Sequence, residues 1–159
     1  MNAEPLIIRI AEDLAEARLD AVLIGNAAAA LNGAPVTTMD FDFMVRDTQQ
    51  ALDRIREFAR ALNAEVIPPR TDVSRVYSVV NEQDGLFVDF LDTVTGVSSF
   101  ASLRSRAAVV QFGRGTLRVA SLRDVLASKR AANRPKDRAV IELIELTLRE
   151  ADAKEGGET

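Results

Sequence analysis

The chain has 159 residues, of which 47% are hydrophobic and 28% charged, and its formal net charge is −4 at neutral pH; this is an ordinary composition for a globular domain with its own core. It contains no cysteine and no histidine, which excludes disulfides, zinc–thiolate sites, histidine-ligated metals and every mechanism that needs a thiol or an imidazole. Catalysis would have to use carboxylates, hydroxyls, lysine, arginine or a metal held by oxygen, and the acidic balance argues against a general nucleic-acid-binding surface.

The chain is predicted to form a single domain over residues 1–150, followed by a flexible acidic tail over residues 151–159. The first residues include acids where a secretion signal would be basic. No segment approaches the ~20 apolar residues of a membrane helix. We therefore expect a cytoplasmic protein that does not enter a membrane.

The first third of the chain is predicted to alternate helices and strands. Apolar residues at every fourth position after Pro5 predict an opening helix. The apolar run 21–25 indicates a buried strand, and the alanine-rich segment 26–33 predicts a short helix. Residues 40–45 predict the next strand, and Thr48 is placed to cap a helix. The apolar stripe of that helix is predicted to be Leu52, Ile55, Ala59 and Leu62.

The remainder is predicted to contain several strands and then two helices. Segments rich in β-branched and aromatic residues predict strands at 64–68, 75–81 and 86–92 and a hairpin over 107–120. Ser121 and Asp124 resemble a capping box for a helix ending near Asn133, and Pro135 is placed to begin the last helix. Together these elements predict an α+β fold, a mixed β-sheet flanked by helices with further helices at the C-terminus.

Acidic residues interrupt two of the predicted apolar strands. Because side chains alternate along a strand, Asp40 and Asp42 share one face, and the phenylalanines beside them point to the other. Neighbouring carboxylates repel unless a cation lies between them, and their oxygens suit Mg²⁺. Asp89 interrupts a later strand and would join them if the two strands pair. Alternatively, these acids simply face solvent; for Asp92, at a strand end, we favour a turn.

Gly25 and a basic segment suggest how a phosphate would be held. Gly25 ends a strand where a helix begins, and a helix N-terminus offers free N–H groups to a phosphate, although a tight turn alone would also explain it. Residues 121–138 are rich in Lys and Arg, which indicates either a solvated helix face or contacts to a triphosphate or RNA. Arg70 and Arg75 could close over a nucleotide, but we favour plain loop charges.

The order of these motifs resembles the nucleotidyltransferase fold of polymerase-β-like enzymes. The resemblance is strongest to small bacterial nucleotidyltransferases of toxin–antitoxin and abortive-infection systems, and it spans roughly residues 20–145. It is sharpest in "VLIGNAAAALNGAPVTTMDFDFMV", "VDFLD" and "LRVASLRDVLASKRAANRPKD". It implies a nucleotidyltransferase-like sheet, a nucleoside triphosphate such as ATP as substrate, and Mg²⁺ as cofactor.

The resemblance also implies a metal site and a catalytic base. By motif position, Asp40 and Asp42 would bind Mg²⁺. Asp89 would complete the metal site and take the proton of the acceptor hydroxyl.

The same resemblance implies a nucleotide-binding set. Gly25 and Asn26 would hold the triphosphate, Lys129 would contact phosphate, and Lys136 with Asp137 is a weaker match. Lys129 shares a helical face with apolar residues, so it needs a partner, either a phosphate or an acid. The family motif is usually Gly-Gly or Gly-Ser, and here an asparagine amide would have to donate in place of a serine hydroxyl.

The sequence therefore predicts a Mg²⁺-dependent nucleotidyltransferase that moves an NMP from an NTP to an RNA, protein or small-molecule acceptor and releases pyrophosphate. A tRNA or protein acceptor, a cognate partner protein and a homo-oligomer are all possible partners. The alternative is a weak or inactive member of the fold that serves as a binding or regulatory module, which Asn26 and the acidic surface would favour. A purely structural α+β domain with incidental acids is the third possibility.

Overall fold

The computed structural model describes residues 4–70 and 75–157, and within them the chain forms one seven-stranded mixed sheet and six α-helices. The helices are α1 (Glu4–Glu16), α2 (Gly25–Leu31), α3 (Gln49–Ala61), α4 (Phe100–Arg106), α5 (Leu122–Ala132) and α6 (Arg138–Gly157). The strands are β1 (Ala21–Ile24), β2 (Phe41–Val45), β3 (Glu65–Ile67), β4 (Val76–Asn81), β5 (Leu86–Leu91), β6 (Ala108–Phe112) and β7 (Gly115–Val119). Short 3₁₀ turns occupy Glu82–Asp84 and Pro135–Asp137.

The sheet has the strand order β3-β4-β5-β2-β1-β7-β6. β2 runs parallel to β5, and β1 runs parallel to β7, whereas the other neighbouring pairs are antiparallel. Parallel neighbours require crossover connections, and helices of this chain lie in those connections. The predicted mixed sheet flanked by helices is therefore confirmed.

The main aromatic packing of the core lies on one face of the sheet. Phe43 of β2 stacks on Phe90 of β5 with ring centroids 5.7 Å apart, and Phe58 of α3 meets Phe90 edge-on at 5.5 Å. All three rings are fully buried. Side chains alternate along a strand, so the residues next to these phenylalanines, Asp42 and Asp89, project from the opposite face. The hydrophobic core thus fixes where the acids point.

The helices divide between the two faces of the sheet. α3 contacts the aromatic core through Phe58, and α1 packs against α3, β6 and β7. α2 packs against β1 and β2 on the face that carries Asp42, and α5 packs against α2 and α6. The helices on the acidic face therefore lie near the centre of the sheet, next to the acids.

Local sequence signals predicted several element boundaries correctly. Thr48 accepts a hydrogen bond from the backbone N–H of Ala51, and Ser121 accepts one from that of Asp124, so both predicted caps are confirmed. The predicted stripe of α3 is buried at Ile55, Ala59 and Leu62, with Leu52 only half-buried. The predicted stripe omits two buried residues, Ala51 and Phe58, each of which precedes a stripe residue and widens the buried face of the helix.

The sequence analysis missed α4. Its seven residues are too few to show a helical period. Ser99 caps the helix by accepting from the N–H of Ser102. The Arg46 guanidinium lies 4.5 Å above the Phe100 ring, and Arg104 Nε donates to Asp20. Contacts between distant segments, rather than a local pattern, therefore support this helix.

α6 continues through residues 151–157, where the sequence analysis predicts a flexible tail. Alanine, glutamate and lysine favour helix, which accounts for the continuation. Residues 151–155 are exposed, so the helix end has solvent around it. Within the described residues, every helix is too short or too polar to cross a membrane.

Candidate active site

Two carboxylates lie side by side on the acidic face of the sheet. In the parallel pairing of β2 with β5, Asp42 is the register partner of Asp89, and on its other side Asp42 pairs with Ile24 of β1. Register partners on neighbouring strands point to the same face. The expected pairing of the two acidic strands is therefore confirmed.

Asp40 lies just before β2 and is exposed. Its backbone N–H donates to Thr38 Oγ1 at 3.1 Å, which holds the turn that leads into the strand. Its negative charge is close enough to raise the pKa of Asp42. Asp40 is therefore part of the same electrostatic cluster, at its solvent edge.

Asp42 has a strongly perturbed pKa. Its pKa is raised from the ordinary 3.8 to about 6, mainly by burial of the carboxyl and further by the charges of Asp89 and Asp40. Lys129 and Lys136 oppose this effect by lowering the pKa. The cluster thus holds more negative charge than its two lysines neutralise, and a further cation would be attracted to it.

A serine that the sequence analysis did not single out positions Asp89. Ser78 is the register partner of Asp89 across the antiparallel β4–β5 pair, and its Oγ donates to Asp89 Oδ1 at 2.6 Å. The hydrogen bond fixes one carboxylate oxygen, and it is charge-assisted. A polar residue in the centre of the apolar strand "VYSVV" was the signal that could have revealed it.

Gly25 lies directly against Asp42. Its φ angle is +67°, in the left-handed region, and a Cβ at this position would lie 3.0 Å from Asp42 Oδ2. Both observations require glycine, because other residues rarely adopt this backbone conformation and a side chain would displace the carboxylate. The glycine at the start of α2 therefore allows the backbone and the acid to approach each other.

We expect Gly25→Ala to lower the free energy of unfolding by about 1–3 kcal/mol, the usual cost of a non-glycine residue in a strained conformation. It should also reduce nucleotide binding, because Asp42 must move. Denaturant unfolding and calorimetric titration with an NTP measure the two effects.

The matched control for this variant is Gly33→Ala. Gly33 has a φ angle of +95°, but a Cβ there would meet nothing within 4 Å. Gly33→Ala should therefore lower the free energy of unfolding without changing nucleotide binding. If the two variants bound nucleotide equally well, the close approach of Gly25 to Asp42 would have no functional role.

The acids open into a cavity of about 560 Å³. Its lining includes Gly25, Asp42 and Asp89 on the sheet side and Lys129, Arg134 and Lys136 from the C-terminal region. The loop after β5 forms another wall; a Cβ at Gly96 would lie 2.8 Å from the Ala127 carbonyl oxygen of α5, so the loop is tightly packed against that helix. The volume is typical of a small-molecule site.

Comparison with known proteins gives the family. The family described as "Nucleotidyl transferase of unknown function (DUF2204)" matches residues 4–155. The chain belongs to this nucleotidyltransferase family. The nucleotidyltransferase expected from the motifs is thus confirmed, whereas the toxin–antitoxin type stays a prediction. No curated protein matches the sequence significantly.

Solved structures show that the nucleotidyltransferase fold is shared. The solution structure of the antibiotic-resistance factor ANT(2'')-Ia matches this nucleotidyltransferase with a TM-score of 0.60 and 14% sequence identity. The match covers 94% of this chain and 84% of that chain. At this identity the similarity establishes the fold.

The predicted lysine of the nucleotidyltransferase is buried next to an acid. Lys129 is only 7% exposed, and its Nζ lies 3.5 Å from Asp137 Oδ1. Arg134 Nε donates to Asp137 Oδ2 at 2.7 Å, and Asp137 itself is 2% exposed. The partner that Lys129 was expected to need is therefore supplied from within the chain. Lys136, by contrast, is exposed.

The Asp137 carboxylate is ionised despite its burial. Burial opposes ionisation, but the hydrogen bond from Arg134 and the charges of Lys129 and Arg134 outweigh it, so the pKa of Asp137 is lowered. One carboxylate thus holds two cations that line the cavity. Asp137 supports the cavity wall and is a positioning residue.

The other predicted residues lie in distinct environments. In the nucleotidyltransferase, Asn26 Oδ1 is buried and, among the described residues, lacks a hydrogen-bond partner. A ligand or water that donates a hydrogen bond would satisfy it, and the phosphate contact predicted for Asn26 stays a prediction. Arg75 forms ion pairs with Asp47 and Asp92. Arg75 lies just before β4 and Asp92 just after β5, which agrees with the loop charge favoured for Arg75 and the turn favoured for Asp92.

The site brings two carboxylates, those of Asp42 and Asp89, directly together. In the ranges 4–70 and 75–157, no group of three or more acidic side chains already has the arrangement of a metal site. Asp42 and Asp89 nevertheless offer adjacent carboxylate oxygens. Mg²⁺ commonly binds through one or two carboxylates together with water and substrate phosphates. These residues therefore fit a metal that arrives with a nucleotide.

Proposed function

We propose that the protein transfers an NMP from an NTP to a hydroxyl group of an acceptor in a Mg²⁺-dependent reaction that releases pyrophosphate. Membership of the nucleotidyltransferase family supports nucleotidyl transfer. The observation that carries the proposal is the side-by-side placement of Asp42 and Asp89 in a cavity that Lys129 and Lys136 also line. Acids and cations that share one cavity suit a metal-bound triphosphate.

In this proposal, Asp42 and Asp89 hold Mg²⁺, with Asp40 adding negative charge at the edge. When bound, the metal would neutralise part of the triphosphate charge and orient it for in-line transfer. The pKa of Asp42 is raised first by burial and then by the charges of Asp89 and Asp40. A positive charge at this position would relieve the repulsion among the acids. The start of α2, with Gly25 and Asn26, would lie along the triphosphate.

The residues of the chain would contribute to each part of the reaction. Asp89, held by Ser78, would accept the proton of the acceptor hydroxyl as that oxygen bonds to the α-phosphorus. The bond from the α-phosphorus to the oxygen bridging to the β-phosphate would break, and pyrophosphate would leave with the bonding electrons. Lys129 and Lys136 would stabilise the charge that develops on the pyrophosphate.

The decisive experiment combines binding and transfer. The protein is titrated calorimetrically with each NTP in the presence of Mg²⁺. It is then incubated with α-phosphate-labelled NTPs and with total RNA, cell lysate or small-molecule acceptors. Label on an acceptor that depends on Asp42 supports the proposal. The absence of label on any acceptor, together with no binding of metal or NTP by calorimetry, would instead favour the binding or regulatory module.

We expect Lys129→Ala to weaken NTP binding by about 10- to 100-fold, because hydrogen bonds to charged groups contribute roughly 1.5–3 kcal/mol. Calorimetric titration measures the loss. Arg130→Ala is the matched control, since Arg130 is the next residue of the same helix and forms an exposed pair with Glu145. Equal NTP affinity in the two variants would remove Lys129 from the nucleotide site.

A further inference from the structure

A second cavity, of about 510 Å³, lies beside the one described above. The two cavities share Asp89 and Val76 in their linings. Asp40 lines the second cavity and Asp42 the first. The acidic cluster therefore stands at the boundary between two cavities, each large enough for a small molecule.

The floor of the second cavity is an apolar part of the sheet face. Ser78 is the register partner of both Ile67 and Asp89, and Val80 is the partner of Phe87, so these side chains share one face. Phe87 is 41% exposed, although it is a large hydrophobic residue. Pro68 and Pro69 extend the apolar lining at one end. An exposed aromatic ring in a concave apolar surface is typical of a ligand contact.

The charges of this cavity are unevenly distributed. Asp40 and Asp89 lie at the boundary with the first cavity, and Arg70 is the basic residue of the lining among those described. An RNA backbone would need several cations to contact its phosphates. A polycation would need acids along the length of the cavity, whereas the acids of this lining, Asp40 and Asp89, lie together at the boundary with the first cavity. The lining therefore suits an apolar body with an anionic group near Arg70.

We propose that the second cavity binds the acceptor, and that the acceptor is a small hydroxyl-bearing molecule with a flat apolar body and an anionic group such as a carboxylate. This inference rests on the proposed function. In-line transfer requires the acceptor and the leaving pyrophosphate to lie on opposite sides of the α-phosphorus. Two cavities that meet at Asp89 provide these two sides, and Asp89 lines both, where it can take the hydroxyl proton.

The binding test uses 1-anilinonaphthalene-8-sulfonate, a fluorescent probe with a flat apolar body and a sulfonate. We expect Phe87→Ser to weaken probe binding about tenfold and Arg70→Gln to weaken it severalfold. Val109→Ser is the matched control, because Val109 is 58% exposed on β6 at the far edge of the sheet. Equal loss in Val109→Ser, or none in Phe87→Ser, would overturn the proposal.

The transfer test offers labelled NTP with three acceptor classes: hydroxylated aromatic carboxylates, aminoglycosides and total tRNA. We expect label on at least one hydroxylated aromatic carboxylate, with a KM for that acceptor that rises in Phe87→Ser while NTP affinity is unchanged. Label confined to the aminoglycosides, to tRNA or to other acceptors in a cell lysate would overturn the acceptor class, whereas label on no acceptor would identify a failure of the proposed function. NTP affinity is measured separately. The absence of NTP binding would therefore also indicate that the proposed function, rather than the acceptor class, has failed.

Discussion

Asp42→Asn is expected to abolish nucleotidyl transfer, with a loss of at least about a thousandfold, and at the same time to stabilise the folded protein at neutral pH. The loss follows from removing a carboxylate that is proposed to hold the metal, a contribution of several kcal/mol to the transition state. The gain follows from removing a buried charge that burial, Asp89 and Asp40 all disfavour. The two effects have opposite signs, which distinguishes a functional acid from a structural one.

The pH dependence of this stabilisation has a definite sign. The pKa of Asp42 rises from 3.8 to about 6 on folding. The folded state therefore binds more protons than the unfolded state between these values, and stability falls as the pH rises through this range. Such a pKa change corresponds to roughly 2–3 kcal/mol at neutral pH, and the partial exposure of the carboxyl reduces it to about 1–2 kcal/mol. Asp42→Asn removes this cost.

Urea unfolding at pH 4, 5, 6 and 7 measures the effect. The stability advantage of Asp42→Asn should be small at pH 4 and largest at pH 7. Asp53→Asn on α3 is the control, because Asp53 is 60% exposed and its pairing with Arg56 is a surface contact. If Asp42→Asn were less stable than the wild type at pH 7, the carboxylate would have a structural role and the metal proposal would lose its main support.

Asp137→Ala is expected to lower the free energy of unfolding by about 3 kcal/mol, because it leaves the buried Lys129 ammonium without its partner. NTP affinity should also fall, since Asp137 holds Lys129 and Arg134 at the cavity wall. Because the pKa of Asp137 is lowered in the folded protein, the stability that this carboxylate contributes depends on pH. Its stabilisation is complete above the ordinary pKa of an aspartate and is lost as the pH falls through the lowered value.

A double-mutant cycle tests this interpretation. Combining Asp137→Ala with Lys129→Met removes both buried charges, so the double variant should be more stable than Asp137→Ala alone. Asp152→Ala is the matched control, because Asp152 forms an exposed pair with Arg123 and should change stability little. Strictly additive effects would show that Lys129 and Asp137 do not depend on each other.

Part of the site was predicted from the sequence, because strand alternation and helical spacing show which way some of its side chains point. Alternation along a strand placed Asp42 opposite the phenylalanines, and the buried rings of Phe43 and Phe90 confirm that assignment. Ser78 was not predicted, because a serine in an apolar strand does not specify which neighbour it meets across the sheet. Likewise, helical spacing predicted that Lys129 points inward, but it did not identify Asp137 as its partner.

The sequence by itself determined the features that depend on neighbouring residues. These are the caps at Thr48 and Ser121, the faces of the strands, the exclusion of histidine and cysteine chemistry, and the motif order that indicates a nucleotidyltransferase. Backbone geometry and hydrogen bonding over a few residues are sufficient to fix such features.

Only the tertiary structure decided which distant residues meet. It paired Asp42 with Asp89, gave Asp89 a hydrogen bond from Ser78, supported α4, and placed two cavities on either side of the acids. The physical reason is that strand order and register follow from packing the whole core at once. A local pattern specifies which side of an element is buried, but not which element covers it.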